Sequence, residues 1–67
     1  MTRVPVTSSN LKSIGWEEGV LEVEFKRGEI YRYFGVPEAT YRELLFADSV
    51  GSVFMRRIVS EYEGERS

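Results

Sequence analysis

The 67-residue sequence contains no cysteine and no histidine. Without cysteine the chain cannot build a disulfide framework, and without either residue it lacks the ligands that zinc and most transition metals prefer. No apolar run approaches the ~20 residues that a membrane-spanning helix needs, and residues 1–5 show no signal-peptide pattern. We therefore expect a cytoplasmic protein without a metal, another cofactor or membrane contact.

The chain also lacks a strong excess of positive charge. Its formal net charge is −2, so any surface for nucleic acid has to be a local basic patch on a mildly acidic body. An apolar fraction of 42% and a charged fraction of 30% are typical of a folded globular protein. A chain of this length forms one domain, residues 1–67, whose single core supplies a stability of about 3–5 kcal/mol.

Three segments have the patterns of β-strands. Residues 20–26 alternate apolar and charged side chains, which indicates a strand buried on one side. Residues 11–16 precede this strand across a Glu-Glu-Gly turn, and residues 29–36 follow it across a turn that contains Gly28. We expect the first seven residues to form an extended segment, with an edge strand as the alternative, and residues 63–67 to fray.

The turn at residues 26–28 determines the register of the hairpin. A three-residue loop with Gly28 at positive φ places Phe25 opposite Glu29, which puts Tyr31 and Tyr33 on the core face. A two-residue loop would reverse the two faces. We favour the three-residue loop because the tyrosine rings can then be buried while their hydroxyls reach the rim. In that register three residues lie on the opposite, open face of the sheet: Ile30, Arg32 and Phe34.

Two helices follow the strands. Pro37 suits the first turn of a helix over residues 37–47, where apolar residues recur at roughly helical spacing. Asp48 and Ser49 then offer an N-cap for a second helix, in which Val50 begins another apolar stripe. The sequence therefore predicts an α+β fold in two layers, a three-stranded antiparallel meander followed by two helices packed on one face of the sheet.

The order of these residues resembles the KTSC domain family over residues 8–62. The resemblance is carried by Ser8-Ser9, by Trp16 at the end of the first strand, and by two spaced motifs: Phe25-x-x-Gly28-x-x-Tyr31-x-Tyr33-x-x-Val36-Pro37 and Ala47-x-Ser49-x-Gly51-x-x-Phe54-x-x-x-Ile58-x-x-x-Tyr62. This family is named for a domain at the C-terminus of some lysyl-tRNA synthetases and also occurs as a small bacterial or phage protein. The resemblance implies a domain of unknown function, with RNA binding as the expected activity.

The sequence departs from the family pattern at two positions. Many family members have Ser-Lys-Gly and Phe-Asn where this chain has Ser49-Val50-Gly51 and Phe54-Met55. A basic and an amide side chain are therefore missing.

A first candidate site is the turn that begins the second helix. Exposed backbone N–H groups at Gly51 and the hydroxyls of Ser49 and Ser52 can bind an anion, and Arg56 lies one turn further on. The alternative is a plain N-cap in which Gly51 allows close packing. Arg57 adjoins this turn, but arginines on helices are more often solubilising and paired with glutamates.

A second candidate site is the open sheet face. Arg32 and Phe34 have the chemistry of a base-stacking surface, although Glu22 and Glu24 beside them would repel phosphates. Ile30 and Phe34 could instead form an apolar surface for a second copy of the chain or another protein partner. A solvated face with local salt bridges is the third reading.

Catalysis has little support in the sequence. Histidine is absent, no serine is spaced from a basic residue as in a known catalytic motif, and the carboxylates are scattered over solvated faces. We therefore expect a non-enzymatic module that binds RNA or a nucleotide through phosphate contacts from Arg56, Arg57 and the Ser49–Ser52 turn, aided by Arg32 and Phe34. The alternative is a homo-oligomerising or protein-interaction module that uses the face of Ile30 and Phe34.

Overall fold

The computed structural model describes residues 1–67 and shows a five-stranded antiparallel sheet with two helical segments. The strands follow one another in chain order across the sheet, β1-β2-β3-β4-β5. Their bounds are Val4–Pro5 for β1, Leu11–Glu17 for β2, Val20–Phe25 for β3, Ile30–Phe34 for β4 and Gly64–Arg66 for β5. The predicted two-layer α+β class is correct, but the prediction of three strands is wrong.

Both additional strands lie at the edges of the sheet. β1 pairs with β2 through Val4 opposite Ile14, so the N-terminal segment does form a short edge strand. β5 pairs with β4, and Gly64 lies directly opposite Tyr33. A Cβ on Gly64 would come within 2.5 Å of the Tyr33 ring, so the absence of a side chain lets this strand close over the tyrosine. Residues 64–66 therefore form a short edge strand, where we expected a frayed tail.

The hairpin between β3 and β4 has the predicted register. The N–H of Phe25 donates to the carbonyl of Glu29 at 2.8 Å, and Gly28 adopts a φ of 101° in the three-residue loop. Val23 consequently lies opposite Tyr31, on the core face. Tyr33 is buried on that face, whereas Tyr31 is only half-buried.

Helix α1, Glu38–Leu45, and helix α2, Val50–Val53, cover the core face of the sheet. Pro37 is the N-cap of α1 rather than its first residue, and its carbonyl accepts from the N–H of Thr40 at 3.1 Å. The chain between the sheet and α1 is held by Trp16, whose Nε1–H donates to the carbonyl of Val36 at 2.7 Å.

After α2 the chain continues without a break as a π-helix over Phe54–Val59, which the sequence did not predict. The apolar residues Val50, Phe54 and Ile58 are all buried and recur every four residues. An α-helix has 3.6 residues per turn, so a four-residue repeat drifts by about 40° per step around its axis. The wider π turn offsets part of that drift and keeps the apolar row against the sheet.

The core lies between the sheet and the helices. Ten buried apolar residues form one cluster: Leu11, Ile14, Leu21, Val23, Tyr33, Val36, Leu44, Val50, Phe54 and Ile58. At its centre the ring of Phe54 makes edge contacts with Phe25 and Tyr33, with ring centroids 5.8 and 5.7 Å apart. These contacts tie the π-helix to β3 and β4.

Candidate functional site

A groove of about 650 Å³ lies between the loop that joins β1 to β2 and the start of α2. Residues 7–10 form one wall, residues 48–52 form the other, and Arg56 and Met55 border it from the π-helix. We call this depression the loop groove. It brings together four of the predicted phosphate-binding residues: Ser49, Gly51, Ser52 and Arg56.

The first wall of the loop groove is shaped by Ser8. Its Oγ accepts hydrogen bonds from the backbone N–H groups of Asn10 and Leu11, each at 3.2 Å. Serine hydroxyls commonly form such local turns. Ser8 therefore holds the loop in a tight bend, and the exposed side chains of Ser9 and Asn10 are left without a partner in the chain.

The second wall contains the predicted helix start. Ser49 is the N-cap of α2, but its hydroxyl makes no capping hydrogen bond and instead donates to the Oγ of Ser52 at 2.9 Å. The proton of the Ser52 hydroxyl then remains available for a ligand. Gly51 lies close to the opposite wall, because a Cβ at this position would be 3.3 Å from the Oγ of Ser8.

Arg56 and Arg57 are adjacent in sequence but differ in their surroundings. Arg57 is half-buried, and its guanidinium contacts Glu43 at 3.1 Å and Glu61 at 3.6 Å. Arg56 is exposed, borders the loop groove and has no carboxylate within 4.0 Å. The structure thus places only Arg56 where it can reach an anion in the groove.

The remaining predicted residues lie on the other face of the sheet. Ile30, Arg32 and Phe34 border a shallow depression of about 610 Å³ that we call the outer-face depression. The sheet separates it from the helices, so Arg32 and Phe34 cannot act on the same small ligand as Arg56. The set of residues predicted as one phosphate site is therefore divided between two faces.

An ion-pair network runs along this outer face. The carboxylate of Glu22 is buried, with 4% of its surface exposed, and accepts from Arg32 Nε at 2.8 Å and from Arg3 Nη1. Ser13 joins the network, because its Oγ accepts from Arg3 Nε at 3.0 Å and donates to Glu24 at 2.9 Å. The hydrogen bond from Arg32 is the main cause that lowers the pKa of Glu22 below 4.5, with burial opposing it and Arg3 reinforcing it.

Arg3 reaches Glu22 because β2 has a glycine at the crossing point. A Cβ on Gly15 would lie 2.6 Å from the carbonyl oxygen of Thr2 and 3.0 Å from Cγ of Arg3. Around Glu22 the outer face matches the third interpretation, a surface with local salt bridges. Phe34 remains 49% exposed at the edge of the network.

Two sets of groove residues were not identified from the sequence. The first is the wall of residues 7–10, of which only Ser8-Ser9 attracted notice, as part of a family pattern. The second is the pair Lys26 and Arg27, which border a separate depression at the tip of the hairpin. Neither has a local signal of function, since turn residues are polar in most proteins.

The structure shows no group of three or more acidic residues placed to hold a metal ion. It also shows no helix with the length and apolar character needed to cross a bilayer.

Fold and site together define a small two-layer α+β domain with a polar groove at one end of its helical layer. The chain belongs to the KTSC domain family, whose model matches residues 7–62. The resemblance found in the sequence is thereby confirmed.

Two relatives show how far the similarity extends. An uncharacterized protein of Stutzerimonas stutzeri (strain A1501) is 48% identical over 56 aligned residues, and the match covers 81% of this chain and 79% of that protein. The crystal structure of a KTSC domain protein from Yersinia pestis is 33% identical and superposes with a TM-score of 0.90, covering 98% of this chain and 96% of that one. The chain is thus similar to KTSC proteins along almost its whole length.

Proposed function

We propose that this KTSC domain is a non-enzymatic module that binds a phosphate-bearing ligand, RNA or a nucleotide, in the loop groove. The observation that carries the proposal is Arg56, an exposed guanidinium without a carboxylate partner at the rim of a groove whose polar lining is hydroxyl and amide groups with one carboxylate, Asp48. Arginine is the side chain best suited to bind phosphate, because its planar donors match two phosphate oxygens.

The polar groups of the groove support the same ligand. The hydroxyls of Ser9 and Ser52 and the amide of Asn10 are exposed and can donate hydrogen bonds to an anion. The α-helical part of α2 is only four residues long, so this proposal depends on side chains rather than on a helix dipole. Arg57, Arg32 and Phe34 are not part of it, because Arg57 and Arg32 are paired with glutamates and Phe34 lies on the outer face.

The groups whose pKa is shifted do not favour acid–base catalysis in the loop groove. The carboxyl group with a shifted pKa, Glu22, is shifted downward by its arginine partners, whereas a general acid would need a raised pKa. Burial raises the pKa of Tyr33 and Tyr41, but neither tyrosine borders the loop groove. A cytoplasmic location, where RNA and nucleotides are abundant, belongs to the same proposal.

The replacement Arg56→Ala is expected to weaken binding of a nucleoside monophosphate about tenfold, because a charged hydrogen-bond donor to phosphate is lost. The measurement is an NMR titration with uridine monophosphate at low salt. Arg42→Ala is the matched control, since Arg42 is also exposed but pairs with Glu38 on α1 and borders no groove. Equal affinities of the two variants would refute the role of Arg56. If the NMR chemical shifts stay unchanged with every RNA and nucleotide tested, the function itself is refuted.

The outer-face depression supports a second candidate function, contact with another copy of the chain or a protein partner. Its arginines, Arg3 and Arg32, are paired with Glu22 and Glu24, while the half-exposed ring of Phe34 and the half-buried Ile30 remain as apolar surface. A face with compensated charges and exposed apolar groups suits a protein better than it suits a polyanion.

If this second function is correct for self-association, the wild-type protein should sediment as a dimer at high micromolar concentration and Phe34→Ser should shift it to the monomer. The expected shift in dissociation constant is tenfold or more, because burial of a phenylalanine contributes about 1.5–3 kcal/mol. Phe46→Ser is the control, since Phe46 is 80% exposed at the end of α1, on the opposite layer. A monomeric wild type at that concentration would exclude self-association through this face.

A further inference from the structure

A second depression lies beside the loop groove, at the tip of the β3–β4 hairpin. It has a volume of about 390 Å³ and is bordered by seven residues: Ser9, Asn10, Phe25, Lys26, Arg27, Glu29 and Tyr31. We call it the hairpin groove. Ser9 and Asn10 border both grooves, so the two depressions meet at the bend of the β1–β2 loop.

The junction between the grooves is held by the backbone. The N–H of Lys26 donates to the carbonyl of Asn10 at 2.9 Å, which fixes the loop against the hairpin. The tip of the hairpin is closed by a hydrogen bond of 2.9 Å from the N–H of Gly28 to the carbonyl of Phe25. With the backbone occupied in this way, the side chains of Lys26 and Arg27 extend into solvent and both are exposed.

The distribution of paired and unpaired cations distinguishes these grooves from the rest of the surface. Among the nine lysines and arginines, five have a carboxylate within 4.0 Å: Arg3, Lys12, Arg32, Arg42 and Arg57. The four without such a partner are Arg66 and the three that border the two grooves: Lys26, Arg27 and Arg56. Two carboxylates, Asp48 and Glu29, also border the grooves, so the combined surface carries one net positive charge on a chain of net charge −2.

The hairpin groove also contains an aromatic surface. Tyr31 is half-buried, stacks on Tyr33 with centroids 6.5 Å apart, and meets the edge of Phe25 at 5.7 Å. This packing holds the Tyr31 ring in place beside Lys26 and Arg27. Rigid aromatic rings next to cations are what proteins use to bind single-stranded nucleic acid, because every base has a face that can stack.

We propose that the two grooves form one continuous binding track for a single-stranded oligonucleotide, with Arg56 contacting one phosphate and Lys26 and Arg27 contacting others. This inference rests on the proposed function of the loop groove and extends it from a single phosphate to a polynucleotide. A mononucleotide cannot occupy both ends of the track. The largest dimension of the Cα framework is 25 Å, so the bound strand is short, about four nucleotides as in the smallest single-strand sites.

The salt dependence of affinity tests the number of phosphate contacts. For single strands the slope of log K against log salt is about −0.7 for each phosphate neutralised, so three contacts give a slope of about −2. The probes are fluorescein-labelled ten-nucleotide oligouridylate and oligothymidylate, measured by fluorescence anisotropy between 20 and 200 mM salt, roughly the range in which this effect is large. Binding of either polymer with that slope supports the track. The polymer that binds more tightly identifies the natural ligand as RNA or as single-stranded DNA.

The double variant Lys26→Ala/Arg27→Ala is expected to bind both probes more weakly and with a slope of about −0.7, because only the Arg56 contact remains. Lys12→Ala/Arg42→Ala is the matched control, since it removes the same two residue types from exposed positions outside both grooves. This control should retain a slope near −2. Both double variants replace exposed side chains, and circular dichroism can verify that they are folded.

The outcomes separate the track from the function on which it rests. If Lys26→Ala/Arg27→Ala keeps the wild-type slope while Arg56→Ala weakens binding of uridine monophosphate as expected, the track is refuted and the phosphate site remains. If neither oligonucleotide nor mononucleotide binds at low salt, both are refuted. In NMR spectra, the oligonucleotide should shift the ring signals of Tyr31 and the side-chain amide of Asn10, and unchanged Tyr31 signals would also refute the track.

Discussion

The replacement Phe54→Ala is expected to unfold most of the protein at 25 °C. Phe54 is 3% exposed and joins the π-helix to β3 and β4 through its edge contacts with Phe25 and Tyr33. Truncation of a buried phenylalanine to alanine costs about 3–5 kcal/mol, since it removes apolar contacts and leaves a cavity. A single core in a domain of this size supplies about the same amount.

The measurement is urea denaturation followed by circular dichroism, with Phe54→Leu as a milder variant. Phe54→Leu retains much of the buried volume and should remain folded with a lower unfolding midpoint. Phe46→Ala is the control, because Phe46 is 80% exposed and its truncation should change the free energy of unfolding by less than about 0.5 kcal/mol. Cooperative unfolding of Phe54→Ala within 1 kcal/mol of wild type would contradict the central position of this ring, as that is about the average effect of any mutation.

The double replacement Arg3→Met/Arg32→Met is expected to lower the free energy of unfolding by about 2 kcal/mol at pH 7, because it leaves the buried carboxylate of Glu22 without a counter-charge. Removal of one side of a fully buried ion pair costs about 3–5 kcal/mol. The side chains of Arg3 and Arg32 are 26% and 48% exposed, so solvent screening makes the effect smaller here.

The pH dependence of this effect follows from the shifted pKa. In the wild type the pKa of Glu22 is lower in the folded state than its ordinary value of 4.5. The carboxylate therefore adds stability that is complete above pH 4.5 and is lost as the pH falls through the lowered pKa. In the double variant only burial remains, which raises the pKa, so protonation at low pH relieves the cost of the buried charge.

We therefore expect the stability difference between wild type and double variant to be largest at neutral pH and to shrink at about pH 3, below the ordinary pKa of the carboxylate. Urea denaturation at both pH values measures it. Arg42→Met removes an exposed arginine paired with Glu38. It should change the free energy of unfolding by no more than about 0.5 kcal/mol at either pH. A difference of equal size at both pH values would show that the arginines act by packing and not by charge.

The ion-pair network also determines which kind of ligand suits each face of the sheet. Glu22 pairs with both Arg3 and Arg32, and Glu24 also pairs with Arg3, so the arginine that looked most like part of a base-stacking surface is already engaged in an ion pair. The unpaired cations lie instead around the two grooves. The neutralised outer face is left with Phe34 as its most exposed apolar group, which is why a protein partner is the more suitable ligand there.

Much of the fold could be predicted because the hairpin is determined by residues that are close together in the sequence. The alternation of residues 20–26 and the positive φ required at Gly28 determine which residues face the core, and Tyr33 is buried as that register demands. The edge strands could not be predicted with equal certainty. Val4–Pro5 and Gly64–Arg66 are two and three residues long, and pairing with a neighbouring strand, rather than their own composition, makes them strands.

The candidate site was predictable only in its residue types. Ser49, Gly51, Ser52 and Arg56 do line one groove, but their partners on the opposite wall, Thr7 to Asn10, are about forty residues away in the sequence. Arg56 and Arg57 look alike in sequence, but in the structure Arg57 pairs with Glu43 on α1 and with Glu61, whereas Arg56 has no carboxylate within 4.0 Å.

The sequence by itself determined the α+β class, the hairpin register, the family and the lack of the side chains that usually bind zinc, because these depend on composition and on contacts between near neighbours. Only the tertiary structure decided which cations are neutralised and which are free, and that the loop groove meets the hairpin groove at Ser9 and Asn10. The physical reason is that ion pairs and grooves arise between segments that are distant in the chain. Their positions depend on how the sheet and the helices pack.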